Sequence, residues 1–91
     1  MQIYGNFLKV TPVQSGVSSE GKEWKNQMMI IETLDSQPRK LAFKVFGEER
    51  MQKVAEKREG ELVKVIFGVE SRPFMKEGIE FWMTDLVFYA F

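Results

Sequence analysis

The chain contains no cysteine and no histidine. Without cysteine there is no disulfide framework, no thiolate metal site and no sulfur nucleophile. Without histidine the commonest general base and the commonest metal ligand are missing as well. Zinc enzymes, Ser-His-Asp hydrolases and haem proteins are therefore excluded, and no metal or other cofactor is implied. Net charge is also missing: 13 basic residues balance 13 acidic ones. A strongly basic total would have pointed to nucleic acid directly, and that argument does not apply. No apolar run approaches the roughly 20 residues of a membrane-spanning helix, so no membrane partner is expected. Met1 to Gly5 lacks the charged and apolar regions of a signal peptide, which makes a cytoplasmic location the default expectation.

What remains is a globular composition, 44% hydrophobic and 29% charged, in 91 residues. That length predicts a single domain over 1–91 with a modest core. The charge is mildly uneven. Residues 1–47 carry six basic and four acidic side chains, whereas residues 48–91 carry seven and nine. A basic face is thus permitted but not required.

The chain reads as strands interrupted by one helix. Ile3 to Val10 is rich in β-branched and aromatic residues and stops at Thr11-Pro12. Gln14 to Gly21 has the serine and glycine content of a loop. Trp24 to Thr33 is the second strand, and Asp35-Ser36-Gln37-Pro38 a turn. Arg39 to Phe46 alternates cleanly, with Leu41, Phe43 and Val45 predicted on the core face. Glu48 to Arg58 is the helical stretch, with Met51, Val54, Ala55 and Arg58 on one stripe and Gly60 as its stop signal. Val63, Val65, Phe67 and Val69 alternate along a fourth strand that closes near Arg72-Pro73. Phe74 to Gly78 reads as a hairpin loop, and Ile79 to Tyr89 as the last strand. The order β-β-β-α-β-β predicts an all-β, five-stranded OB-fold barrel with one helix between strands three and four. An SH3-like barrel would lack the helix, and a ferredoxin-like fold would need two.

An OB fold binds over its second and third strands and the flanking loops. Alternation predicts Lys40, Lys44 and Phe46 outward on the third strand. On the second, inward Met29 and Ile31 leave Trp24, Asn26, Met28 and Ile30 outward. Rings beside ammonium groups suit single-stranded nucleic acid, because bases stack on aromatics while phosphates need cations. The expected interface is Trp24, Phe46 and Phe74 for stacking, with Lys25, Lys40, Lys44, Arg72 and Lys76 for phosphate. Blander roles compete. Trp24 could pack on the first loop, Met28 and Ile30 could sit at a subunit contact, and Phe74 could fold onto the rim. Of Phe81 and Trp82, one is expected near ligand. Asp85 is expected to brace the fold by hydrogen bonds. No glycine-rich phosphate loop or acid–base pair marks an enzyme, so the protein is expected not to be one.

Val45-Phe46-Gly47, then Gly60-Glu61-Leu62-Val63-Lys64-Val65, then Arg72-Pro73-Phe74 occur in an order that resembles the bacterial single-stranded-DNA-binding protein domain. The resemblance implies that Phe46 meets DNA, that Phe74 stacks on it, and that Arg72 is the neighbouring cation. Gln14-Ser15-Gly16, Trp24-Lys25 and Glu32-Thr33 look more like a small uncharacterised bacterial offshoot of that group. Lys40 stands where better-known members carry an outward aromatic, so one stacking platform is absent. The expected function is non-catalytic binding of single-stranded DNA with little sequence preference, in replication or repair. RNA stays open, because 2′-hydroxyl contacts leave no motif. The alternative is a protein-interaction OB module, an accessory subunit of a replication or recombination complex, docking through Trp24, Met28 and Ile30. Oligosaccharide binding has the fold and the aromatics but no polar cluster for sugar hydroxyls. A homo-oligomer, dimer or tetramer, is expected from the leftover apolar surface.

Overall fold

Alternating side chains close the strands into a ring. The computed structural model describes all 91 residues. Its elements are β1 (Gln2–Val10), β2 (Gln14–Val17), β3 (Glu23–Thr33), β4 (Lys40–Phe46), α1 (Glu48–Ala55), β5 (Leu62–Lys76) and β6 (Ile79–Ala90). The ring runs β1-β5-β6-β4-β3 and returns to β1 through a β1–β3 pairing. All pairs are antiparallel except β4–β6, a short parallel contact of Phe43 with Leu86 and Lys44 with Val87. This is the OB topology expected from the sequence, with the helix between β4 and β5.

The core comes from the inward parity of each strand. Phe7, Met29, Ile31, Phe43, Val45, Val63, Val65, Phe67 and Phe88 pack together, and Val54 of α1 joins them. Phe43 and Phe67 meet edge to face, with ring centroids 5.2 Å apart, the arrangement the ring quadrupoles favour. Gly5 sits at the seam, pairing with Thr33 on one side and Val63 on the other. A β-carbon there would lie 2.7 Å from the carbonyl oxygen of Glu32. Glycine therefore allows β1 to approach β3 closely enough to close the ring.

Three elements differ from the sequence expectation. Gln14–Val17, read as loop, is a sixth strand paired with Glu23–Asn26. It continues along the edge of β3 that β1 leaves at Thr11-Pro12, where Met28 N–H donates to Thr11 Oγ1 at 2.9 Å. Serine and glycine suggested a loop, but Gly16 serves the pairing. The Trp24 indole lies over Gly16, where a β-carbon would come within 2.6 Å of the ring. The helix is shorter, ending at Ala55 rather than Arg58, with Val54 buried and Ala55 exposed. Its end is fastened by Glu61, which accepts from Lys57 Nζ and from the backbone N–H of Arg58, both at 3.2 Å.

The third difference is the largest. The fourth strand does not close at Arg72-Pro73 but runs to Lys76, and β6 pairs with it from Ile79 onward. Only Glu77 and Gly78 form the turn, at φ 53° and 77°, as a two-residue hairpin of the tightest kind requires. Pro73 signalled a strand end, yet β1 covers β5 only from Leu62 to Ile66. Beyond that the outer edge of β5 is open, and an open edge tolerates a residue without an N–H. The outcome is a two-stranded arm, Val69–Lys76 against Ile79–Leu86, about 25 Å long at the usual strand rise. It accounts for a radius of gyration of 14.8 Å, against about 12 Å for a compact chain of this length.

Candidate nucleic-acid interface

The outer face of β3, β4 and β6, continued onto the arm, carries most of the side chains singled out from the sequence. On β4 the outward residues are Lys40, Ala42, Lys44 and Phe46, facing Glu32, Ile30, Met28 and Asn26 of β3. On β6 the same face holds Phe81, Met83 and Asp85, and on β5 it holds Glu70, Arg72, Phe74 and Lys76. Successive residues of a strand alternate in direction, so the register accounts for every member of this set.

Two aromatic stations stand on this face. At one end Phe46 and Trp24 line a cleft of about 440 Å³ with Glu23, Lys25, Gly47 and Glu48. Both rings remain partly exposed. On the arm Phe74 stacks on Phe81, its cross-strand partner, with centroids 5.4 Å apart and planes inclined by 21°. Phe74 thus stands on a paired strand, not on a loop tip. Trp82 faces the other way, opposite Pro73, beside the Ser71–Thr84 hydroxyl bond of 2.9 Å. Of the two candidates on the last strand, Phe81 shares the face with Phe74.

A charged cluster lies between the stations. Lys44 Nζ donates to Asp85 Oδ2 at 3.0 Å, and a guanidinium nitrogen of Arg72 lies 3.8 Å from the same oxygen. The first contact ties β4 to β6, where backbone pairing is limited to two residue pairs. Asp85 is therefore the expected brace, and it also occupies two cations of the predicted interface.

The remaining cations are placed differently. Lys40 is exposed at the start of β4, and Lys76 is exposed beside the arm's turn; neither makes an ion pair. Lys25 borders the Trp24/Phe46 cleft without sharing the outer face. Alternation puts it with buried Gln27 on the inward side of β3, at the rim of the ring. Its ammonium lies 3.7 Å from Glu48 at the start of α1. There it lines a second hollow with Val13, Gln27, Met51 and Ala55. Met28 and Ile30 are half-buried among their strand neighbours, which reduces the apolar patch expected around them. No group of three or more acidic residues is arranged to hold a metal ion.

Sequence reasoning missed the arm's register and Asp85's grip on Lys44. The alternation of Phe81, Met83 and Asp85 was readable. The parallel meeting of β4 and β6, between residues about 40 positions apart, leaves no local signal.

Comparison with known proteins then places the chain. A family described as Domain of unknown function (DUF3127) matches residues 2–91. The chain belongs to that family. No curated protein matches it. Among solved structures it is similar to Rim1, a mitochondrial single-stranded DNA binding protein of S. cerevisiae. That match has 21% identity and a TM-score of 0.63 and covers 99% of this chain and 88% of Rim1. It is also similar to the Plasmodium falciparum SSB in its complex with single-stranded DNA. There the identity is 9% and the TM-score 0.54, covering 96% of this chain and 82% of that one. These likenesses establish a single-stranded-DNA-binding-protein type of OB fold for this DUF3127 member.

Proposed function

We propose that the chain is a non-catalytic module that binds single-stranded DNA with little sequence preference along this outer face. The observation that carries the reading is the pair of exposed aromatic stations, Trp24/Phe46 and Phe74/Phe81, joined by Lys44 and Arg72 and flanked by Lys40 and Lys76. Rings of this kind accept any base, because every base has a π-face. The cations supply the sequence-independent attraction to phosphate. Both solved neighbours are named for single-stranded DNA binding, which supports the same ligand here, in processes such as replication and repair that expose single strands. Self-association into a dimer or tetramer is part of the proposal, since the slender arm leaves Met75, Ile79 and Trp82 more than half exposed.

The test is fluorescence anisotropy of labelled oligo-dT against the wild type, Phe46→Ala and Phe74→Ala. Each ring removed is expected to weaken binding roughly tenfold, within the ~1–3 kcal/mol measured for base–aromatic stacking. Unchanged affinity in both variants, with the β-sheet spectrum intact, would show that the rings are not the platform.

A further inference from the structure

We infer that Lys44 and Arg72 form a phosphate subsite and that Asp85 fills it with its own carboxylate until a nucleic-acid phosphate displaces it. The inference rests on the single-stranded-DNA reading and adds an internal competitor to it. Both cations converge on one atom, Asp85 Oδ2, at 3.0 and 3.8 Å. A carboxylate oxygen in that position offers the same charge and acceptor geometry as a phosphate oxygen.

The three side chains differ in freedom. Arg72 keeps 65% of its side-chain surface exposed, Lys44 23% and Asp85 14%. Arg72 can therefore exchange its longer contact for an incoming anion without leaving water. Lys44 sits deeper, and an unpaired ammonium there would lie beside a second cation. In the free protein Asp85 removes that repulsion, leaving one net positive charge for the ligand instead of two.

The surroundings favour a phosphodiester as the incoming anion. Phe46 stands two residues beyond Lys44 on the same face of β4, and Phe74 two beyond Arg72 on β5, each about 7 Å along its strand. A base stacked on either ring carries its phosphate toward the cluster. Glu70, the register partner of Asp85, shares the face but makes no ion pair, and so provides a control for simple loss of negative charge.

The experiment compares oligo-dT binding by the wild type, Asp85→Asn and Glu70→Gln between 50 and 300 mM salt. Asp85→Asn is expected to bind roughly fivefold more tightly at the lowest salt. Its dependence of log K on log salt should steepen by about 0.7, one further phosphate on a single strand. Glu70→Gln should change affinity by less than about twofold. If Asp85→Asn loses the fold, Asp85→Ser removes the same charge and is held to the same expectation. An unchanged or weaker affinity in a folded variant, or an equal gain in Glu70→Gln, overturns the inference while wild-type binding stands. Absence of binding by both the wild type and the Asp85 variant at 50 mM salt instead overturns the single-stranded-DNA reading itself.

Discussion

Phe46 and Phe74 expose 39% and 42% of their surface although both are large and apolar. Leaving about two-fifths of each ring in water forgoes roughly 0.6–1.2 kcal/mol, that share of the ~1.5–3 kcal/mol for full burial, so their position argues for use rather than packing. Phe46 was legible in the sequence, because a strand's parity is set once one face is known to be core. The cations were less so, because ion pairing depends on strands that are distant in sequence. Lys53 and Lys40 make the contrast testable. Lys53 stands on the helix and faces Glu49, whereas Lys40 is unpaired on the outer face. Lys40→Glu is expected to weaken oligo-dT binding roughly tenfold or more, and Lys53→Glu by no more than about threefold, read by anisotropy at low salt. Equal losses would show that overall charge, and not the face, sets affinity.

At the level of elements, the short helix depends on the segment that leads from it into β5. Glu61 accepts from the Lys57 ammonium and then from the Arg58 backbone N–H, and these bonds hold its carboxyl below the ordinary glutamate range. A lowered folded-state pKa gives stability that is complete above the unfolded value of about 4.3 and is lost as pH falls through the lowered one. Glu61→Gln should therefore lower the wild-type thermal midpoint slightly at pH 7, with the difference shrinking as acid protonates Glu61. A constant difference down to pH 2 would contradict this account. The helix, its place between β4 and β5, and the five strands of the ring were all readable from periodicity. The β2 strand and the arm were not, for one shared reason. Serine, glycine and proline mark turns when a strand must pair on both sides, whereas β2 and outer β5 each have an open edge. Gly16 and Pro73 fit there without cost to the ladder.

Over the whole molecule, the balanced charge limits how strongly phosphate can be drawn in. Of the five cations first expected at the interface, Lys25, Lys44 and Arg72 are engaged with carboxylates, and Lys40 and Lys76 are not. With the Lys44–Arg72 pair counted once because Asp85 offsets one charge, about three phosphates are neutralised. At about 0.7 per phosphate on a single strand, the salt slope is about −2, shallow for a nucleic-acid-binding protein. Stacking must then supply most of the affinity. The most direct measurement is quenching of tryptophan emission by oligo-dT across a salt series, since Trp24 lies in the Phe46 cleft. The account predicts quenching at micromolar protein in low salt, with a log–log slope near −2 and residual binding at intermediate salt. No quenching at the lowest salt would contradict it.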